Sequence, residues 1–280
     1  MGRSALDFIS STAPSITKTK LLLIGSKPSH LLINNEDFEV VDPLVGLAAI
    51  RENSIFFNAA FLRREFLQEM SPEEYLHKNE EIVAVAKRAI NEKKLLSFVN
   101  LSSGVARDLD ADSRLDTVDE YSKLKKRLEI EYSDYCNQTG TALVNCRIFS
   151  LTGRHLNEFE NLALSSFIRQ AKIKNKIEVK SPLTKRTYVD ATDLAGILLA
   201  KAALGKDASF DSGGSLVSMR ELAEIVISVL KKEQCEIITG DDESPDYFGD
   251  YKKFYNLALE MDLPLADIKD QVTRTLAAFN

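Results

Sequence analysis

The sequence predicts an α/β protein with a mainly parallel sheet, helices on both faces of it, and a smaller lobe that follows. Short, continuously apolar runs alternate with longer stretches of helical period through the first half of the chain, the pattern of strands buried on both faces and joined by crossover helices. Each run stops in small or polar residues, the ends at which an open parallel sheet holds its ligands. After Gly153 the pattern shifts to short strands, a basic turn and amphipathic helices. The 280 residues therefore divide into a larger first part, 1–153, and a second, 154–280.

The first apolar segment, "ALDFIS" (5–10), stands where an opening strand belongs, and "STAPSITKTK" after it leaves too little chain for a helix to cross back to a parallel strand. The first helix is therefore expected to be missing or cut to a turn. Buried strands follow at "KLLLIG" (20–25), "FEVVD" (38–42), "SIFFNAA" (54–60), "LLSFVNLSS" (95–103) and "ALVNCRIFS" (142–150), each rich in Val, Ile, Leu or Phe. "RREF" (63–66) reads as a surface helix. Residues 71–94 read as a helix with Ser71 as N-cap, Pro72 in the first turn and Glu74 three residues after the cap. The helix at 117–140 ends near Gly140. Beyond Gly153 come a helix at 157–175, a strand, a basic turn and a helix over 176–205, a strand and turn at "ASFDSGG", and a helix at 218–232 capped by Ser218 with Glu221. Asp193 is expected to cap the helix beginning "LAGILLA".

Lys and Arg number 36 against 42 Asp and Glu, a net charge of −6, so no basic stripe marks a nucleic-acid surface. Cys136, Cys146 and Cys235 are widely spaced, as are His30, His77 and His155. They form neither a disulfide framework nor a metal-ligand spacing. No apolar run approaches the ~20 residues of a membrane span, and the N-terminal apolar stretch is too short for a signal peptide. The expectation is a reduced, cytoplasmic protein without a metal, a nucleic-acid partner or a membrane partner.

The strand-end rule picks out Asp42, the Asn58-Ala59-Ala60 turn, Ser102-Ser103-Gly104 and Phe149-Ser150. Tyr121 and Lys125 lie on the helix after the third of these, four residues apart and so on one face. By spacing alone the pair fits a solvated, charged helix surface. The alternative is a tyrosine whose proton is managed by a lysine. A phenol with a pKa of ~10 is too weak a base at neutral pH, and an ammonium one turn away favours the phenolate.

Six segments in this order resemble the extended short-chain dehydrogenase/reductase family, the NAD-dependent nucleotide-sugar epimerases and dehydratases. They are "VVDPLVGLAAIRENSIFFNAA", "SPEEYLHKNEEIVAVAKRA", "FVNLSSGVA", "YSKLK" as Tyr-x-x-x-Lys, "CRIFSLTG" and "KRTYVDATDLAGILLA". The resemblance implies a Rossmann-like nucleotide-binding domain over 1–153 with a truncated first βα unit. It implies a mainly substrate-binding lobe over 154–280, in which residues near 186–204 pack back on the first domain. It further implies Tyr121 as acid/base, Lys125 as its partner and a ribose ligand, and Ser103 as hydroxyl donor, with Ser102 as its fallback. Asp42 would lie near the adenine, and Ala59, Ala60 and Asn79 along the cofactor, which would be NAD or NADP. Ser102, Ser150 and Arg186 would face the substrate, Arg186 at its diphosphate. A homodimer through the helices at 72–94 and 117–137 is also implied.

The chain departs from that family where a Gly-x-x-Gly-x-x-Gly loop should cradle the pyrophosphate. Gly25 stands alone, and Ser10, Ser11, Thr12 and Ser15 are the hydroxyls left to meet a phosphate. Ser150 replaces the family's Asn, and Gly104-Val105 replace the Asp-Glu of the dehydratase branch. Two functions follow: an NAD(P)-dependent epimerase or 4-ketoreductase acting on a nucleotide-diphosphate sugar, or a degenerate member that no longer binds dinucleotide and serves as a binding or assembly subunit.

Overall fold

The computed structural model of the chain describes residues 1–13, 20–111, 118–156 and 162–279. Ser15 and the expected beginnings of the helices at 117 and 157 lie outside the described residues. Two compact units are formed, one by Met1–Arg147 with Leu198–Ser209, the other by Ile148–Ile197 with Phe210–Asn280.

The chain opens with helix α1 (Gly2–Thr12), so "ALDFIS" is helical and the expected loss of the first helix is corrected. Ala5, Leu6 and Ile9 recur at helical spacing, and Leu6 packs on Ile33 and Phe38. Strands β1 (Leu23–Ile24), β2 (Ser29–Ile33) and β3 (Glu36–Val41) form a sheet in the order β1-β3-β2, parallel between β1 and β3 and antiparallel between β2 and β3. The β2–β3 hairpin was not expected. Its signal is Asn34-Asn35, both left-handed at φ 50° and 62°, as a primed two-residue turn requires.

Helix α2 (Pro43–Ala49) starts on Asp42, whose carboxylate accepts from Leu44 N and Val45 N at 2.8 and 3.0 Å. Then come β4 (Ile55–Asn58), a 3₁₀ turn at Arg64–Gln68 where a surface helix was expected, α3 (Pro72–Glu92), β5 (Ser97–Ser103), α4 (Gly104–Ala111), α5 (Glu120–Thr139) and β6 (Ala142–Ile148). Ser71 caps α3 as expected, and Gly140 ends α5 at φ 71°. β4 and β5 are parallel neighbours, confirming the α/β class. Their core holds Tyr75, Val83, Phe98, Leu124, Leu128 and Tyr132.

The chain continues through β7 (Ser150–Thr152), α6 (Ala163–Lys174), β8 (Lys176–Val179), β9 (Lys185–Asp190) and α7 (Ala191–Ala203). After β10 (Ala208–Asp211), which joins β6, β5 and β4 in one sheet, come β11 (Ser215–Ser218), α8 (Met219–Leu230), β12 (Glu236–Thr239), α9 (Tyr251–Glu260) and α10 (Ile268–Leu276). Leu164, Ile168, Ile177, Leu222, Val226 and Val272 form the core of the second unit. Ser218 and Glu221 close the expected capping box on α8. The cap of α7 is Asp190 instead of Asp193: its Oδ1 accepts from Thr192 N at 2.8 Å. Helical backbone already begins at Ala191, so Asp193 lies inside the first turn, where it accepts from Ala266 N and pairs with Arg274.

Candidate active site

Tyr121 and Lys125 occupy the first two turns of α5, a helix that packs on β5 and α3. Asp119 sets its start, accepting from Ser122 N at 2.8 Å and pairing with Arg64. The three residues that end β5 face this helix. Leu101 O accepts from Lys125 Nζ at 2.8 Å, and the Ser103 side chain hydrogen-bonds the Tyr121 phenol. Ser102 spends its hydroxyl further along the same helix, donating to Glu129 Oε1 at 2.6 Å. Of the two serines, Ser103 is the one beside the tyrosine.

Lys125 is only 8% exposed, which rules out a solvated surface pair. The face of Phe61 covers its ammonium, with Nζ 3.6 Å from the ring centroid, and Phe61 meets Tyr121 edge to face at 5.9 Å. Burial drives the Lys125 pKa down to about 7, against the opposing pull of the Glu129 carboxylate. Burial pushes the Tyr121 phenol above its usual value, and the bond from Ser103 only partly offsets this. Burial of both groups thus works against the lowering of the tyrosine by the lysine that was expected. A lysine stripped of water holds its own charge weakly and has little to lend.

Asn79 is fully buried and its amide is spent on backbone: Oδ1 accepts from Leu62 N at 3.0 Å and Nδ2 donates to Tyr75 O at 3.0 Å. Tyr75 in turn donates to Leu62 O at 2.7 Å. The backbone next to Phe61 is thus pinned on both sides. Asn79→Ala should destabilise the fold by about 1–3 kcal/mol, the cost of leaving a buried N–H without its acceptor, measured as a lower urea midpoint.

Ala59 and Ala60 follow β4 and are exposed, and Asp42 lies at the end of β3 with its carboxylate engaged in capping. A cavity of about 30 Å³ is bounded by Asn58, Ala60, Phe61, Asn100 and Lys125, among others, which is room for one water. Ser150 and Arg186 belong to the second unit, where Ser150 opens β7. Arg186 lies 6.0 Å from the Tyr247 ring, and its buried Nε has no partner among the described residues. A larger groove of about 370 Å³ runs along α6 and β8 of that unit, and none of the expected residues lines it.

Phe61, Glu129 and Arg147 were missed as site residues. Glu129 had a signal, being one helical turn beyond Lys125 on the same face. Phe61 had none, since its contact with Lys125 spans 64 positions of the chain.

No curated protein sequence matches the chain. Among solved structures, a UDP-N-acetylglucosamine 4-epimerase from Methanobrevibacter ruminantium M1, in complex with UDP-N-acetylmuramic acid, superposes with a TM-score of 0.78 at 14% identity, over 99% of this chain and 94% of that one. A UDP-glucose 4-epimerase from Brucella ovis in complex with NAD gives 0.70 at 16% identity, over 99% and 96%. A GDP-D-glycero-L-gluco-heptose synthase from Campylobacter jejuni, solved in the presence of NADPH, gives 0.63 at 15% identity, over 81% and 82%. At such identities these likenesses show the fold. The sequence itself goes further: the model of the NAD dependent epimerase/dehydratase family matches residues 48–211, a span that holds Tyr121, Lys125 and Ser103, and the chain belongs to that family.

Proposed function

We propose that the protein is an NAD(P)-dependent epimerase or 4-ketoreductase acting on a nucleotide-diphosphate sugar, with Tyr121, Ser103 and Lys125 at the reacting end. The observation that carries this is the hydrogen bond between Ser103 and Tyr121 above a buried Lys125, within the span that defines the family. The first unit would hold the nucleotide cofactor and the second the sugar nucleotide.

The donor set fits the ribose end of a nicotinamide dinucleotide. Lys125 Nζ gives one proton to Leu101 O and as an ammonium has two more to offer to hydroxyls. Ala59 and Ala60 keep the adjacent wall low. At the start of α1 the first-turn N–H groups are free of helical acceptors, and a Cβ on Gly2 would stand 3.5 Å from the Ala59 Cβ, an ordinary contact. When bound, the nicotinamide supplies hydride exchange with the sugar carbon. The chain's own task is the proton at the sugar oxygen. Ser103 Oγ holds that oxygen in line, and Tyr121 gives or takes its proton. A phenol raised by burial stays protonated at neutral pH, so Tyr121 starts as an acid, suited to returning a proton to a ketone. The alcohol-oxidising direction, which needs the phenolate, should gain rate continuously as pH rises above 8, followed by initial rates at saturating cofactor. A plateau near pH 7 would contradict it.

Phe61 covers the Lys125 ammonium where a ribose would bind. Its backbone neighbour Leu62 is fixed by Asn79 and Tyr75, so the ring leaves by rotating its side chain. Phe61→Ala should tighten NAD(H) binding about 10-fold or more, the worth of one desolvated cation–π contact that the ring must give up to leave, measured by calorimetry.

That same ring favours the second reading, a degenerate member acting as a binding or assembly subunit, because a 30 Å³ cavity does not hold a nicotinamide. Titration with NAD(H) and NADP(H) separates the two. Heat and a thermal shift support the enzyme, and neither at millimolar cofactor, in wild type and in Phe61→Ala, sinks it.

A further inference from the structure

We propose that Glu129 is a positioning residue for Tyr121 and Lys125: by clamping Ser102, it fixes the strand end from which Leu101 and Ser103 reach the two side chains. The proposal rests on the reading of Tyr121 and Lys125 as the reacting pair.

Three residues of α5 spaced one turn apart are stitched to three consecutive residues of β5. Tyr121 bonds Ser103, Lys125 bonds Leu101 O at 2.8 Å, and Glu129 accepts from Ser102 Oγ at 2.6 Å. Ser102 therefore sits between the two groups that touch the reacting pair. Any slide or twist of the strand end would move the Leu101 carbonyl and the Ser103 hydroxyl together. The clamp is itself anchored from a third element. Arg147, on β6, forks onto the Glu129 carboxylate, Nε to Oε1 at 2.8 Å and Nη2 to Oε2 at 2.7 Å. The side chains are 8% and 18% exposed, so the pair is largely out of water. Burial acts to raise the Glu129 pKa, but the bonds from Arg147 and Ser102 outweigh it and keep the carboxyl below the ordinary value. Well-packed apolar side chains would stabilise such a site as well as an ion pair does. What the charged fork adds is direction: one carboxylate oxygen is aimed at Ser102 and cannot rotate away.

The test uses the whole protein, with no ligand added, and 13C NMR of labelled tyrosine and lysine, the signals assigned with Tyr121→Phe and Lys125→Met. Ser102→Ala should raise the Tyr121 titration midpoint by about one pH unit, the effect of losing alignment with one hydrogen-bond donor to the phenolate. Ser102→Thr, which restores a hydroxyl, should return it. Glu129→Gln should lower the Lys125 midpoint, because the nearest opposing charge is gone. If Glu129→Gln fails to fold, Ser102→Ala decides alone. Wild-type midpoints in folded Ser102→Ala would overturn the clamp, since a merely structural serine would change stability without moving either titration. Cofactor binding plays no part in these measurements, so a protein that takes up no NAD(H) would sink the enzyme reading and leave this result standing.

Discussion

Tyr121→Phe should abolish turnover of a nucleotide-sugar substrate, by about 10²–10⁴-fold, the usual share of a positioned acid/base, with NAD(H) affinity nearly unchanged. The phenol oxygen is the group Ser103 bonds, and the ring body is what Phe61 packs against edge to face. Phenylalanine keeps the ring and loses the proton, so cofactor binding and the fold persist while proton transfer fails. The readout is kcat and KM beside a calorimetric Kd for the same variant. Unchanged kcat would remove Tyr121 from the mechanism, and a parallel loss of cofactor affinity would place it in binding instead.

Lys125→Met should change the pH dependence of stability more than any other single substitution in this unit. Burial lowers the Lys125 pKa from 10.5 to about 7 in the folded protein. Between those values the unfolded chain carries a proton that the folded one does not, so stability rises with pH across that window. Below about 7 both states hold the proton, and the buried charge weakens the fold by a constant amount. Methionine has a similar length and no charge, so it removes the slope. It also leaves Leu101 O without its donor, an offset independent of pH. The variant should therefore compare best with wild type near pH 6 and progressively worse toward pH 10. The difference across that range is a few kcal/mol, the scale of a buried lysine. Chemical denaturation of both proteins at pH 6, 8 and 10 measures it, and a constant difference would show that Lys125 stays hydrated.

Local pattern made much of this molecule legible. The apolar runs at 20–25, 38–42, 54–60, 95–103 and 142–150 each overlap an observed strand. Those at 95–103 and 142–150 are largely buried on both faces, which leaves no polar alternation to confuse them, whereas β3 keeps Asp37 and Glu39 exposed. The caps at Ser71 and Ser218 follow from side-chain bonds that reach only three residues. "ALDFIS" misled because six apolar-rich residues fit a strand or a helix equally, and only the packing of Leu6 on the β2–β3 hairpin decides for the helix. Asp193 misled by three residues, close to one helical turn, since a short acidic side chain can bond N–H groups from the cap or act within the first turn.

The sequence by itself determined the alternation of strand and helix, the family, and the presence of Tyr121 and Lys125 on one helix face. Those depend on spacings of a few residues, which periodicity and short-range hydrogen bonds encode. Only the tertiary structure decided that Lys125 is buried under Phe61, that Ser102 turns to Glu129 while Ser103 turns to Tyr121, and that Asn79 spends its amide on Leu62. Each of these joins residues from different elements. Water exclusion, and with it the charge state of a lysine, is set by what the rest of the chain places on top of it.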